Sequence, residues 1–409
     1  MFVANERAAR IEYPEALKAI LSVASAEQSR AWLSHWALLS RTATPLWDLP
    51  AAAHRLGLAR VSIKDESVRS PLGSFKALGA PIALVRLILR LWSSHELDAK
   101  EVILGHHQPL LSNFVVVSAT DGNHGKALAA ASQTLGCQCV IILHANVSVE
   151  RELAIAAYGA RIIRIDGNYD ESVDEASRLA KHHGWHVVSD TSYEDYETIP
   201  RDVMQGYGVI AAEVVEQAES QAGKSAFTHV FLQGGVGGLA AGVASYLWEV
   251  FGVDRPRFIV VEPEQADCLF QSAIAGMPSK ATGSVDSIMA GLACGKASPL
   301  AWRFLEECID DFVTITDNDA IIAMRNLADA DGRDIPLAIG ESGAAGLAGL
   351  EVIMRNEVLS SAAGINSDSR VLVIGTEGAT APSVYQECVG TTAESVLARQ
   401  AAWLAINVG

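Results

Sequence analysis

The chain has 409 residues, half of them hydrophobic, with 33 glycines and a net charge of −17 from 31 basic and 48 acidic side chains. That length can bury a large core and suggests two or three domains, or two interleaved lobes. The acidic balance argues against a nucleic-acid partner, because neutralising phosphates needs a basic face.

Targeting and redox signals are few. MFVANERAAR is charged and no apolar segment follows it, so no secretory signal is expected. Six cysteines in so long a chain make no disulfide framework. The cytoplasm is the default location.

In chain order, short apolar runs rich in β-branched residues read as strands: RVSIKD (60–65), NFVVVSAT (113–120), CQCVIILH (137–144), RIIRID (161–166), HVVSDT (186–191), THVFLQ (228–233), RFIVVEP (257–263), FVTIT (312–316) and RVLVIGT (370–376). Most are separated by helix-like segments long enough for a crossover. The alternation predicts an α/β fold of mostly parallel sheet with helices on both faces, and places functional residues at the C-terminal ends of strands. PIALVRLILRLW (81–92) carries Arg86 and Arg90 four apart and reads as an amphipathic helix. The stretch from Ala127 to Val149 reads as a helix followed by a strand, because Ser132, Gln133, Gly136, Gln138 and Asn146 interrupt it; no membrane span is expected.

Several strand ends carry chemistry-bearing residues. Lys76 lies in KDESVRSPLGSFKALGA (64–80), just before an apolar helical run. An ammonium there opposes the helix dipole, so the position is an unusual one for a simple surface lysine; a Schiff-base lysine is the alternative. SATDGNHG (118–125) follows a strand, and Asp121 is either a helix cap or a functional carboxylate. Cys137 and Cys139 alternate as strand residues and are expected to pack rather than to bind metal. Asp190 closes the HVVSD run. In QGGVGGLAAG (233–242) a strand meets a helix through glycines, which suits a phosphate cradle of backbone amides. Taken alone, this loop also fits a dinucleotide fingerprint, with Glu262 near the place of a ribose-binding acid. Cys268 and Cys294 flank a glycine-rich region and could approach each other. GESG (340–343) and GTEG (375–378) complete the set.

SFK, SATDGNHG, GGVGG, GESG and GTEG, in that order, resemble the fold-type II enzymes that use pyridoxal 5′-phosphate, the tryptophan synthase β-subunit-like superfamily. The resemblance implies a two-lobed enzyme in which Lys76 anchors the cofactor and Asn123 meets its ring hydroxyl. It implies that Gly234, Gly235, Val236, Gly237 and Gly238 hold its phosphate and that Thr376 faces its ring nitrogen. The larger lobe would combine 1–90 with 215–409, and the smaller would span 91–214. TATPLWDL (42–49), SDTSYEDYETIP (189–200), VEPEQADCLF (261–270), SIMAGLACG (287–295) and GTEGATAP (375–382) are similar to the diaminopropionate ammonia-lyase family. Ser74 departs from that family's Asn-Ala-Phe-Lys form, and Gly234 stands where a small alanine is typical.

The implied reaction is α,β-elimination of D- or L-2,3-diaminopropionate to pyruvate and two ammonia molecules. An amide anion is a very poor leaving group, so the β-nitrogen must leave protonated. That gives Asp121 and Asp190 a reason to be there: each is a candidate to hold the substrate's second ammonium. Lys76 and Asp121 would serve opposite faces of Cα. His124 is expected to be structural. Glu341 and Ser342 are expected to line the cofactor site, and Glu377 to point away if its strand continues. A homodimer taking a small amino acid is expected. The alternatives are a serine, threonine or hydroxyaspartate dehydratase of the same superfamily, an NAD-dependent oxidoreductase built on GGVGG, and a catalytically dead relative.

Overall fold

The computed structural model describes residues 1–407 except Asp121, Asn146, Asn168 and residues 219–223, and it does not describe the Asp170 side chain. Eleven strands are present among the described residues: β1 (Phe2–Ala4), β2 (Leu46–Asp48), β3 (Arg60–Asp65), β4 (Val115–Ala119), β5 (Gln138–Leu143), β6 (Arg161–Arg164), β7 (His186–Val187), β8 (His229–Gln233), β9 (Arg257–Pro263), β10 (Asp311–Ile315) and β11 (Arg370–Gly375). They form a seven-stranded sheet in the order β1-β10-β9-β8-β11-β3-β2 and a four-stranded sheet in the order β6-β5-β4-β7.

Each predicted run overlaps one of these strands, β10 starting one residue before its run. The central strands of the large sheet pair in parallel, and so do all those of the small sheet. Every residue of β8 and β10 is buried, as expected for strands covered on both faces. The three-residue strands β1 and β2 escape a reading by pattern, being too short to show one; both pair antiparallel at the edges. The HVVSDT run is cut back to His186–Val187, so Asp190 lies in the loop beyond the strand.

The strand order positions the site. β8, β11 and β3 are neighbours. Their C-terminal ends deliver the glycine loop at 234–238, the Thr376-Glu377 pair and the segment leading to Lys76. β4 and β7 are neighbours in the small sheet, and their ends deliver the Gly122–Asn123 turn and Asp190. Gln233 fixes the rim: its Nε2 donates to the carbonyls of Ile374 at 2.6 Å and Gly343 at 3.0 Å.

A buried ionic network braces β3 against the long helix Thr198–Gln217. Lys64 Nζ donates to Glu213 Oε2 at 2.6 Å and to the Thr44 carbonyl at 2.7 Å. Arg69 bridges Glu66 and Glu213 through contacts of 2.6–2.8 Å. Two cations face two carboxylates, so the cluster is neutral, and its shared hydrogen bonds offset the desolvation of each charge.

Candidate active site

Lys76 lies in a 3₁₀ turn, Phe75–Leu78, that runs directly into the helix Gly79–Leu91. The Phe75 amide donates to the Thr376 carbonyl at 3.0 Å, which pins this turn to the end of β11. Lys76 Nζ donates to Asp190 Oδ2 at 2.6 Å, with the two side chains 17% and 21% exposed. Burial alone would lower the lysine, but the adjacent Asp190 charge outweighs it and holds Lys76 above its usual range. Burial likewise would raise Asp190, and the Lys76 ammonium outweighs it and holds the carboxyl below the usual carboxylate range.

Aromatic rings wall this pair. Lys76 Nζ stands 5.0 Å from the centroid of Phe75 and 5.6 Å from that of Tyr207. Tyr207 sits inside the helix Thr198–Gln217, where its pattern is that of any core residue, so sequence pattern alone does not single it out. His124 is buried, and its Nε2 donates to the Val188 carbonyl at 3.0 Å, which leaves Nδ1 4.0 Å from Asp190 Oδ2. It packs behind Asp190, consistent with a structural role.

The glycine loop turns from β8 into the helix Gly238–Phe251. Gly235 and Gly237 have φ of +63° and +100°, a region other residues rarely adopt. A Cβ on Gly237 would lie 2.8 Å from Leu305 Cδ1, and one on Gly234 2.5 Å from Glu262 Cγ. A Cβ on Gly238 would sit 3.8 Å from the Asp190 carbonyl oxygen, which puts the loop in the same crevice as the Lys76–Asp190 pair. The amides of Gly235 and Val236 find no acceptor among the described residues and lie just before a helix whose dipole favours an anion.

Two expectations change. Glu262 is no ribose reader: it is fully buried and accepts from the amides of Leu269 at 3.0 Å and Phe270 at 2.7 Å, at the start of the helix Cys268–Ala275. That removes the acid on which a dinucleotide reading depends. Glu377 does not point away: β11 stops at Gly375, and the residue turns inward to accept from the Asn123 side-chain amide, the Ser342 backbone amide at 3.2 Å and the Thr380 hydroxyl at 3.3 Å. Cys268 and Cys294 do approach each other, both lying against Gly235.

Asp121 lies outside the described residues. The helix begins at Asn123, and the residue at its N-cap is Gly122, which has no side chain to cap it. Glu341 is buried, with Oε1 3.8 Å from Arg151 Nη2. Burial, reinforced by the Glu377 charge, pushes its carboxyl up to about 7. Ser342 is held by accepting from the Gly291 amide at 3.0 Å.

The crevice suits pyridoxal phosphate. It offers a primary amine, a glycine cradle with free amides, and the Asn123 amide and Thr376 nearby. Buried polar atoms around it, Ser74 Oγ, Tyr207 Oη and Glu341 Oε2, have no hydrogen-bond partner among the described residues. Among the described residues no group of three or more His, Cys, Asp or Glu side chains is arranged to hold a metal.

The family model for pyridoxal-phosphate dependent enzymes matches residues 38–377. The diaminopropionate ammonia-lyase of Escherichia coli (strain K12) is 38% identical over 369 residues, covering 88% of this chain and 92% of the relative. A crystal structure of the holo Escherichia coli lyase superposes with a TM-score of 0.86 at 36% identity, over 95% of this chain and 96% of that one. The same lyase in complex with an aminoacrylate–PLP azomethine reaction intermediate gives a TM-score of 0.84 at 35% identity, over the same shares of both chains. This chain therefore belongs to the pyridoxal-phosphate-dependent enzymes of fold type II, and within them to the diaminopropionate ammonia-lyase family, with pyridoxal 5′-phosphate as its cofactor.

Proposed function

We propose that this protein is an ammonia-lyase that converts 2,3-diaminopropionate to pyruvate and two ammonia molecules. The carrying observation is the Lys76–Asp190 pair at 2.6 Å beside the glycine loop, in a chain similar to a named diaminopropionate ammonia-lyase over nearly its whole length. When bound, pyridoxal phosphate supplies the electron sink for breaking the Cα–H bond and releasing the Cβ substituent.

The protein's own residues do the rest. The amides of Gly235 and Val236 and the N-terminus of the helix Gly238–Phe251 hold the phosphate; Asn123 and Thr376 orient the ring. Lys76 anchors the cofactor and moves the Cα proton on one face. Asp190, in a largely buried site beside Lys76, would hold the substrate's β-ammonium, so that the leaving nitrogen stays protonated. Asp121 carries the proton on the opposite Cα face and adds a second negative charge. A neutral β-hydroxyl would call for neither carboxylate.

The division into lobes, 1–90 with 215–409 against 91–214, lets the smaller one close on substrate and exclude water. Lys76 and Asp190 then reach the crevice from different lobes. No helix among the described residues is long and apolar enough to cross a membrane. We infer a cytoplasmic homodimer.

Pyruvate release from each isomer tests the assignments. Asp121→Asn should lower turnover of one isomer by about 100-fold or more, the scale of a lost general base, and spare the other. Asp190→Asn should slow both. Equal turnover of both isomers by Asp121→Asn and wild type would remove Asp121 from catalysis.

A further inference from the structure

Glu377 gathers donors from separate segments of the chain. Its Oε1 accepts from the Ser342 backbone amide at 3.2 Å, and its Oε2 from the Thr380 hydroxyl at 3.3 Å and from Asn123 Nδ2. The side chain is buried, and its backbone bridges Ser74, two residues from Lys76. Both carboxyl oxygens act as acceptors here. The same contact sets the Asn123 amide, since a flip would press Oδ1 against an acceptor oxygen. Its second amide hydrogen and its carbonyl oxygen are not used by Glu377.

We propose that Glu377 is a positioning residue that fixes the orientation in which the Asn123 amide meets the cofactor ring, and that it ties the helix Asn123–Leu135 to the turn at 340–343. The inference rests on the reading that Asn123 contacts the cofactor. Glu377 acts through Asn123 and need not touch the reacting atoms. Glutamine cannot replace it. With one oxygen and one amino group between two N–H donors, it pairs both only by keeping its oxygen on the Ser342 amide and turning the Asn123 amide over, since a buried unpaired amide is costly.

The experiment compares wild type, Asn123→Ala, Glu377→Ala and Glu377→Gln as holoenzymes. It reads the visible absorption and circular dichroism of the bound cofactor, the cofactor dissociation constant, and thermal unfolding as a check on folding. Asn123→Ala should shift the visible band and weaken cofactor binding roughly tenfold or more, the factor carried by a charge-assisted hydrogen bond. Both Glu377 variants should reproduce the shift while unfolding cooperatively. If Glu377→Ala does not fold, the isosteric Glu377→Gln decides alone. A shifted band in Asn123→Ala with wild-type band and affinity in the Glu377 variants would overturn the inference and leave the Asn123 reading standing. An unchanged band in Asn123→Ala would overturn both.

Discussion

At the scale of single residues, the site is a small set of charges whose partners decide their state. Lys76 and Asp190 hold each other ionised, while Glu341 has a backbone hydrogen bond and Arg151 at 3.8 Å to set against burial and the nearby Glu377. Its carboxyl is raised from 4.5 to about 7. Between those values the folded chain keeps a proton that the unfolded chain has lost, so this group makes stability fall as pH rises through the window. Urea unfolding at pH 5 and pH 8 should show Glu341→Gln gaining on wild type at the higher pH by on the order of 3 kcal/mol; parallel profiles would mean that Glu341 is ionised throughout. The sequence made Lys76, Asn123 and the glycine loop legible, because each lies in a compact motif at a strand end. It could not place Glu377, whose direction depends on β11 stopping at Gly375, nor Tyr207, which a helical pattern cannot distinguish from core.

At the scale of elements, the strands were legible where a buried parallel strand leaves an apolar run, as in β9, or where β-branched residues alternate with polar ones, as in β3; the bounds of both match the predicted ones residue for residue. β1 and β2 were not, because three edge residues carry too little pattern. Membership of the two sheets was also beyond the sequence, since it depends on pairings between distant segments. The loop after β8 is the element most exposed to a single change. Gly237→Ala places a Cβ at φ +100° and 2.8 Å from Leu305 Cδ1. The strain, about 1–3 kcal/mol, displaces the amides proposed to hold the phosphate. Equilibrium dialysis should show cofactor affinity reduced by roughly tenfold or more. Gly57→Ala, at φ +68° with open space around it, is the comparison and should cost stability without weakening cofactor binding. Equal affinities in all three proteins would refute the cradle.

At the scale of the molecule, the glycine loop, the Lys76 turn and the GTEG segment converge because β8, β11 and β3 are adjacent, and the second sheet brings Asp190 across. The buried network of Lys64, Glu66, Arg69 and Glu213 braces the segment that leads to Lys76. Glu213→Ala would leave two cations underpaired in the interior and should cost about 3–5 kcal/mol in urea unfolding; a loss below about 1 kcal/mol, the range of surface pairs, would show that the network carries little. The central claim concerns chemistry, and substrate choice tests it most directly. Pyruvate or 2-oxo acid release by the holoenzyme should be measured with D- and L-2,3-diaminopropionate beside D- and L-serine and threonine. The account predicts turnover of the diamines far above that of the hydroxy amino acids. Turnover of serine or threonine alone would contradict it and make this chain a dehydratase.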